Sequence, residues 1–262
     1  MQPTPDGDPR LDAFFAALPR ARCPLLMLDY DGTLAPFKVE RDSAAPYPGV
    51  REALNRIVAG RSRVVVVTGR AAHSLRPLLG LDHPVEVWGS HGAERLAPDG
   101  AYTPAALPPD AAAGLAEAAD WLEEAGLAER CERKPTAVAV HWRGLDEAQA
   151  ARLAALAEPA WAAIARRSRL ELRPFDGGLE LRAAGFDKGR AVNTLVEETG
   201  PGAAAAFLGD DLTDEHAFAA LRGRGLTILV RPAYRQTAAE LWLRPPGELL
   251  RFLGRWQAAT SE

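Results

Sequence analysis

Three short stretches of this chain, Leu25–Leu28, Val64–Val67 and Ala203–Leu208, are apolar at every position. Two more, Val85–Trp88 and Leu226–Val230, carry one polar residue each. A strand with one face in water alternates apolar and polar residues; a strand apolar throughout must be covered on both faces. Helical patterns follow these runs. Residues 49–58 place Val50, Leu54, Ile57 and Val58 on one face, and further helices are expected over 74–79, 212–221 and 248–256. Buried strands alternating with helices predict an α/β fold, a doubly wound, Rossmann-like parallel sheet with helices on both sides.

The middle of the chain differs. Two alanine-rich helices are expected at 110–129 and 146–168, with a strand at 136–143 between them and short strands at 170–173 and 178–182 around the turn Pro174-Phe175-Asp176-Gly177. This order suits a small α+β module inserted into the larger sheet. The proline-rich stretch 104–109 and the turn Ala183-Ala184-Gly185 are its expected hinges. The organisation is therefore core 1–106, inserted cap 107–184 and core 185–262. On the strand at 136–143, His141 and Arg143 share a face with the small residues Ala137 and Ala139, opposite Val138, Val140 and Trp142.

Composition narrows the function. A net charge of −4, with no block of like charge, gives no case for nucleic acid. The longest aliphatic run is too short to cross a bilayer, and MQPTPDGDPR lacks the apolar stretch of a signal peptide, so a cytoplasmic location is expected. Cys23 and Cys131 are far apart and read as reduced thiols. Nothing signals an interface, which leaves a monomer as the expectation.

Chemistry concentrates just past the strand ends, where ligands of doubly wound sheets bind. Asp29 and Asp31 follow the first run, Thr68 the second, and Asp210 and Asp211 the fourth. Residues i and i+2 of a strand share a face, so the carboxylates of Asp29 and Asp31 are expected to converge. Four carboxylates, Asp29, Asp31, Asp210 and Asp214, would gather there. An all-oxygen set without histidine or thiol favours a hard cation, Mg²⁺ beside phosphate. One such aspartate alone would read as a helix cap or turn residue, which remains the reading for Asp211. Asp29 suits a nucleophile attacking phosphorus, and Asp31 an acid that protonates the leaving oxygen and then activates water. The amides of Gly32 and Thr33 are expected to approach the phosphate. Thr68 would add a hydroxyl, and Lys188, opening a helix, a charge that faces an anion together with the helix N-terminus.

Asp29-Tyr30-Asp31-Gly32-Thr33, Thr68-Gly69-Arg70, Lys188 and Gly209 to Glu215 resemble, in order, the four motifs of the haloacid dehalogenase (HAD) superfamily of phosphatases. The inserted module resembles the cap of its sugar-phosphatase branch. The finer resemblance is to the trehalose-6-phosphate phosphatase family. It is carried by Gly209-Asp210-Asp211-Leu212-Thr213-Asp214-Glu215, by Gly89 to Glu94, by Glu132, Lys134, His141 and Arg143, and by Glu180-Leu181-Arg182 with Asp187-Lys188-Gly189. The family's glycine after the cap lysine is Pro135 here. The resemblance implies Mg²⁺-dependent hydrolysis of trehalose 6-phosphate, a small-molecule sugar phosphate, to trehalose and phosphate through an aspartyl phosphate. It implies metal ligation by the side chains of Asp29 and Asp210 and the backbone carbonyl of Asp31. Asp214 would hold Lys188 or a metal-bound water. Gly69, Arg70, His91, Lys134, His141, Arg143 and Glu180 are the expected substrate-binding residues. Two readings stay open beside this one: a phosphatase for glucosylglycerol or mannosylglycerate phosphate, and a noncatalytic sugar-phosphate sensor.

Overall fold

In the computed structural model, which describes residues 7–37, 44–175 and 177–261, the chain divides into two compact units. One comprises Met1–Thr103 with Asp187–Glu262, the other Pro104–Phe186. The expected turn residue Asp176 and the first residues of the N-terminal stretch lie outside the described residues.

The larger unit begins with α1 (Pro9–Ala17), followed by β1 (Cys23–Leu28), α2 (Val50–Val58), β2 (Arg63–Val67), α3 (Ala72–Leu79), β3 (Glu86–Gly89), β4 (Glu94–Leu96) and β5 (Tyr102–Pro104). The inserted unit holds α4 (Pro109–Glu124), β6 (Cys131–Lys134), β7 (Ala137–His141), α5 (Glu147–Ser168), β8 (Leu170–Phe175) and β9 (Gly178–Ala183). The chain then returns with α6 (Lys188–Thr199), β10 (Ala203–Gly209), α7 (Asp214–Leu221), β11 (Leu226–Val230), β12 (Leu241–Leu243) and α8 (Gly247–Thr260).

The large sheet has the order β12-β11-β10-β1-β2-β3-β4-β5. Strands β12 through β3 in that order are parallel, and β4 runs antiparallel to β3. The all-apolar runs explain themselves once both faces are followed. Leu26, Leu28, Val64, Val66, Ala206 and Leu208 pack with residues of α1, α2, α3 and α8. Leu25, Met27, Val65, Val67, Ala205 and Phe207 pack on the other side with residues of α6 and α7. From β1 the chain moves outward through β2 and β3; from β10 it moves outward the other way, through β11 and β12. The reversal lies between β1 and β10, where adjacent crossovers leave a crevice at the carboxyl ends.

The smaller unit is a four-stranded antiparallel sheet, β6-β7-β9-β8. Val138, Val140, Leu179 and Leu181 share its buried face, and α4 and α5 bury Leu115, Leu122, Leu153 and Trp161. The opposite face carries Glu132, Lys134, Glu180 and His141 among the small residues Ala137, Ala139 and Gly178.

Several local expectations are corrected. Helix α4 stops at Glu124, short of 129, because Gly126 turns left-handed (φ +70°) and its N–H returns to the Glu123 carbonyl. Strand β7 ends at His141; Arg143 lies beyond it in a turn closed by Gly144 (φ +83°), not on the strand face shared with His141. Helix α7 starts at Asp214, two residues later than expected, since Asp211 Oδ1 binds the N–H and hydroxyl of Thr213 and holds the preceding turn. Helix α1 and strands β4, β5, β6 and β12 were not expected at all. Pro135 sits in the tight turn between β6 and β7.

Phe207 is fully buried on β10 and meets Phe218 edge-on, with ring centroids 5.8 Å apart. Phe207→Ala is expected to lower unfolding stability by about 3–5 kcal/mol, measured as the shift in urea midpoint. A loss under about 1 kcal/mol would contradict this packing.

Candidate active site

The site forms where β1 and β10 release the chain side by side. Asp29 follows β1 directly, and its N–H donates to the Leu208 carbonyl of β10 at 2.8 Å. Asp210 follows β10. Lys188 is the first residue of α6, whose N-cap Asp187 accepts the Arg190 N–H at 2.9 Å. The Lys188 ammonium donates to Asp29 Oδ1 and Asp214 Oδ1, both at 2.7 Å. All three are almost sealed from solvent, with exposures of 2% for Lys188, 3% for Asp29 and none for Asp214. Asp214 Oδ2 accepts the N–H groups of Asp210 and Asp211 at 2.8 and 3.0 Å, so both its oxygens are engaged within the protein.

Two glycines permit this closeness. Gly32 is left-handed (φ +85°), and a Cβ there would fall 2.1 Å from Asp210 Oδ2. A Cβ on Gly189 would fall 2.6 Å from the His216 carbonyl, so α6 approaches the backbone of α7 only without one.

Asp29, Asp210 and Asp214 place one carboxylate oxygen each within 4.8 Å of one another. Burial pushes Asp29 up to about 7, with Lys188 opposing and Asp210 adding to the rise. Asp210 rises to about 7 through burial and the negative charges of Asp214 and Asp211. Asp214 also reaches about 7, mainly by burial, against the pull of Lys188. Burial works against the Lys188 charge as well, but Asp29 and Asp214 outweigh it and hold the ammonium above the ordinary lysine range. Three carboxylates against one ammonium leave excess negative charge that a divalent cation would balance. The donor set is all oxygen; Asp214 takes three donors at 2.7–3.0 Å, whereas Asp29 takes Lys188 at 2.7 Å and the Thr33 hydroxyl only at 3.3 Å. The residues fit a divalent cation.

The Asp31 carboxylate does not join this cluster. Strand β1 ends at Leu28, and the Tyr30 carbonyl then accepts the N–H groups of Thr33, Leu34 and Ala35, so period-two alternation stops before Asp29. The carboxylate of Asp31 instead receives a two-pronged pair from Arg70, Nε to Oδ2 and Nη2 to Oδ1, both 2.6 Å. Arg70 also lies over the Tyr30 ring, 5.4 Å from its centroid. The amides of Gly32 and Thr33 are not turned toward a ligand either: Gly32 donates to the Ala35 carbonyl at 2.7 Å and Thr33 to that of Tyr30. The Thr33 hydroxyl reaches Asp29 Oδ2 at 3.3 Å.

Thr68 is buried just past β2, its hydroxyl accepting the Arg70 N–H at 3.2 Å. Gly69 lies under the ring of His91: a Cβ there would come within 2.6 Å of it. Ser90 and His91 are both left-handed (φ +47° and +58°), a costly pair for non-glycine residues. Glu94 holds them. Its Oε1 accepts the Ser90 hydroxyl at 2.7 Å and the Ala72 N–H at 3.1 Å, and its Oε2 the Tyr102 hydroxyl at 2.9 Å. Glu94 carried no expected role, although it closes a quoted motif. Arg231 and Arg235, just past β11, were also missed; a basic residue beyond a buried strand's carboxyl end is the signal that could have found them.

In the inserted unit, Lys134 Nζ donates to Glu180 Oε1 at 2.7 Å, and His141 Nε2 lies 2.9 Å from Glu132 Oε2. These four residues form one polar cluster on the open sheet face. Arg143 stands outside that row, exposed in the following turn.

The family profile of trehalose-phosphatase matches residues 27–242. The chain belongs to the trehalose-phosphatase family. A trehalose-phosphate phosphatase of Mycolicibacterium paratuberculosis is 36% identical to it over 257 residues, covering 89% of this chain and 62% of that protein. A Mycobacterium tuberculosis protein named an uncharacterized glycosyl hydrolase is 36% identical over 254 residues, 89% of this chain but only 18% of the relative. The chain thus spans less than two thirds of these relatives. Among solved structures, Aspergillus fumigatus trehalose-6-phosphate phosphatase superposes with a TM-score of 0.68 at 26% identity, covering 95% of this chain and 97% of that one. A haloacid dehalogenase-like hydrolase from Bacteroides thetaiotaomicron shares the fold, with a TM-score of 0.63 at 18% identity. No helix among the described residues is long and apolar enough to cross a membrane.

The raised acids of this site carry a pH signature. Metal-free native protein holds protons on Asp29, Asp210 and Asp214 that the unfolded chain has released from about pH 4 upward, so stability falls as pH rises toward about 7. Lys188 stays charged across that window and adds no slope. In chelator, the Tm is expected to drop by several degrees between about pH 5 and pH 7.5, and Mg²⁺ to raise it more at the higher pH. A flat profile in differential scanning calorimetry would contradict the cluster's electrostatics.

Proposed function

We propose that this protein hydrolyses trehalose 6-phosphate to trehalose and inorganic phosphate, with Mg²⁺ as cofactor and an aspartyl phosphate as intermediate. The observation that carries the reading is the buried Lys188 ammonium fixed between Asp29 and Asp214 at the switch point of the sheet. The family match and the printed names of its relatives support the substrate.

Asp29 is the nucleophile. A carboxylate oxygen forms the bond to phosphorus as the bond from phosphorus to the sugar oxygen breaks. Asp31 gives its proton to that leaving oxygen, then takes one from the water that attacks phosphorus and frees Asp29. Arg70, forked onto Asp31, fixes where that carboxyl points. Lys188 offsets negative charge on the transferred group and keeps Asp29 in place. The Thr68 hydroxyl and the Gly69–Arg70 segment are assigned to the phosphate, with His91 beside them. Asp29 and Asp210, with the Asp31 carbonyl, would hold Mg²⁺, which supplies positive charge for the phosphoryl group in the transition state. Asp214 orients Lys188 and the Asp210 backbone and is not assigned as a ligand.

Sugar recognition is assigned to the polar face of the inserted unit. Lys134, Glu180 and His141 offer paired donors and acceptors beside small residues, a combination suited to hydroxyl groups. Arg143 adds a cation from the adjoining turn. A protein acting on this small molecule calls for neither nucleic acid nor membrane, and a monomer in the cytoplasm suffices.

Phosphate release from a panel comprising trehalose 6-phosphate, glucosylglycerol phosphate and mannosylglycerate phosphate is expected to favour trehalose 6-phosphate in kcat/KM by about tenfold or more. Asp29→Asn should abolish release from every member while circular dichroism stays unchanged. Equal rates across the panel would refute the substrate, and activity retained by Asp29→Asn would refute the covalent route. Glu180→Gln is expected to lower kcat/KM for trehalose 6-phosphate by about tenfold or more, with a smaller effect on a nitrophenyl phosphate. Equal losses on the two would remove Glu180 from sugar recognition.

A further inference from the structure

The loop that carries Asp210 is held by two arginines to which the chemistry above gives no part. The last ladder pairing of β10 is at Gly209, so the Asp210–Asp211 peptide has no strand neighbour to bind it. Side chains replace the ladder. The Asp210 N–H donates to Asp214 Oδ2 at 2.8 Å. Its carbonyl accepts Arg231 Nη1 at 3.3 Å and Arg235 Nε at 3.4 Å, and the next carbonyl, that of Asp211, accepts Arg235 Nη2 at 2.5 Å.

The clamp is itself anchored. Arg235 Nη1 pairs with Glu215 Oε1. Glu215 in turn accepts the Thr237 hydroxyl at 2.8 Å and the Ala238 N–H at 2.7 Å. The Arg231 backbone is bound on both sides, its N–H to the Leu243 carbonyl at 3.0 Å and its carbonyl to the Trp242 indole at 2.8 Å. Asp210 is thus gripped through its N–H by an acid and through its carbonyl by two cations, which leaves its carboxylate as the part not fixed by the backbone.

We propose that Arg235, assisted by Arg231, is a positioning residue for the divalent cation: it sets the Asp210 loop so that the carboxylate is aimed before the ion arrives. The proposal rests on the assignment of Asp29 and Asp210 as ligands. Two effects of the guanidinium oppose each other. Its charge repels a cation, whereas its hydrogen bonds remove the cost of ordering the loop on binding. The Glu215 pairing neutralises much of that charge, and salt screens the remainder. Positioning therefore wins.

The test is calorimetric titration of Mg²⁺ and of Mn²⁺ into the metal-stripped full chain, at low and at high salt, with thermal unfolding as a check on folding. Arg235→Ala is expected to weaken both ions by about tenfold at both salt concentrations, the range for partners that orient a ligand. Arg235→Lys, which keeps the charge and loses the fork, should fall between Arg235→Ala and the unsubstituted protein, and it carries the test should Arg235→Ala not fold. Equal or tighter binding by these variants, with the unsubstituted protein binding normally, overturns this proposal alone. An unsubstituted protein that binds neither ion overturns the ligand assignment and this proposal together.

Discussion

The ammonium of Lys188 is the interaction on which the site depends. It lies where two elements distant in sequence, β1 and the start of α7, each bring an acid to the head of α6. Burial alone would drive Asp29 and Asp214 to their neutral forms; a fixed charge 2.7 Å from each gives the ionised forms a partner inside the protein. Removing one member of such a buried set leaves the others uncompensated, which typically costs about 3–5 kcal/mol. The same lysine cannot balance Asp210 as well. That shortfall is what makes the pocket a place for a divalent ion, and it links the stability of the site to its proposed chemistry.

The fold serves this arrangement in a simple way. Two halves of a parallel sheet wind outward from β1 and β10, and the crevice at their carboxyl ends receives Asp29 from one half and Asp210 from the other. Asp29 is tied to the second half by its own N–H, so the two acids share one backbone frame. Gly32 then lets the first loop lie against Asp210, where a Cβ would fall 2.1 Å from Oδ2. The second acid of the first motif belongs to a separate assembly. Asp31, Arg70 and the Tyr30 ring form one group, and the loop bearing Arg70 is braced by the left-handed pair Ser90–His91 and by Glu94. The site is two adjoining networks, one around a lysine and one around an arginine.

How much of this the chain announces depends on range. The unbroken apolar runs reported a sheet covered on both faces, because that demand acts on every residue of a strand. Lys188, Asp29 and Asp210 were legible because strand ends and a helix start fix their position without any knowledge of side-chain contacts. Strand β6 was hidden: Cys131-Glu132-Arg133-Lys134 is an edge strand with charge on both sides and no periodicity to read. Asp31 was misplaced because period two was carried past Leu28, where the strand had ended. Arg70, Arg231 and Arg235 take their partners from loops far along the chain, and pairing between loops leaves no local pattern.

Asp29 is the group proposed to take the phosphoryl from substrate. Mixing the protein with trehalose 6-phosphate and Mg²⁺, quenching in acid within one turnover and mapping the peptides by mass spectrometry tests this most directly. A phosphoryl adduct on the peptide that contains Asp29, sensitive to hydroxylamine as an acyl phosphate is, is the predicted result. An adduct confined to any other residue, or phosphate formed within that turnover with no adduct at all, would contradict it.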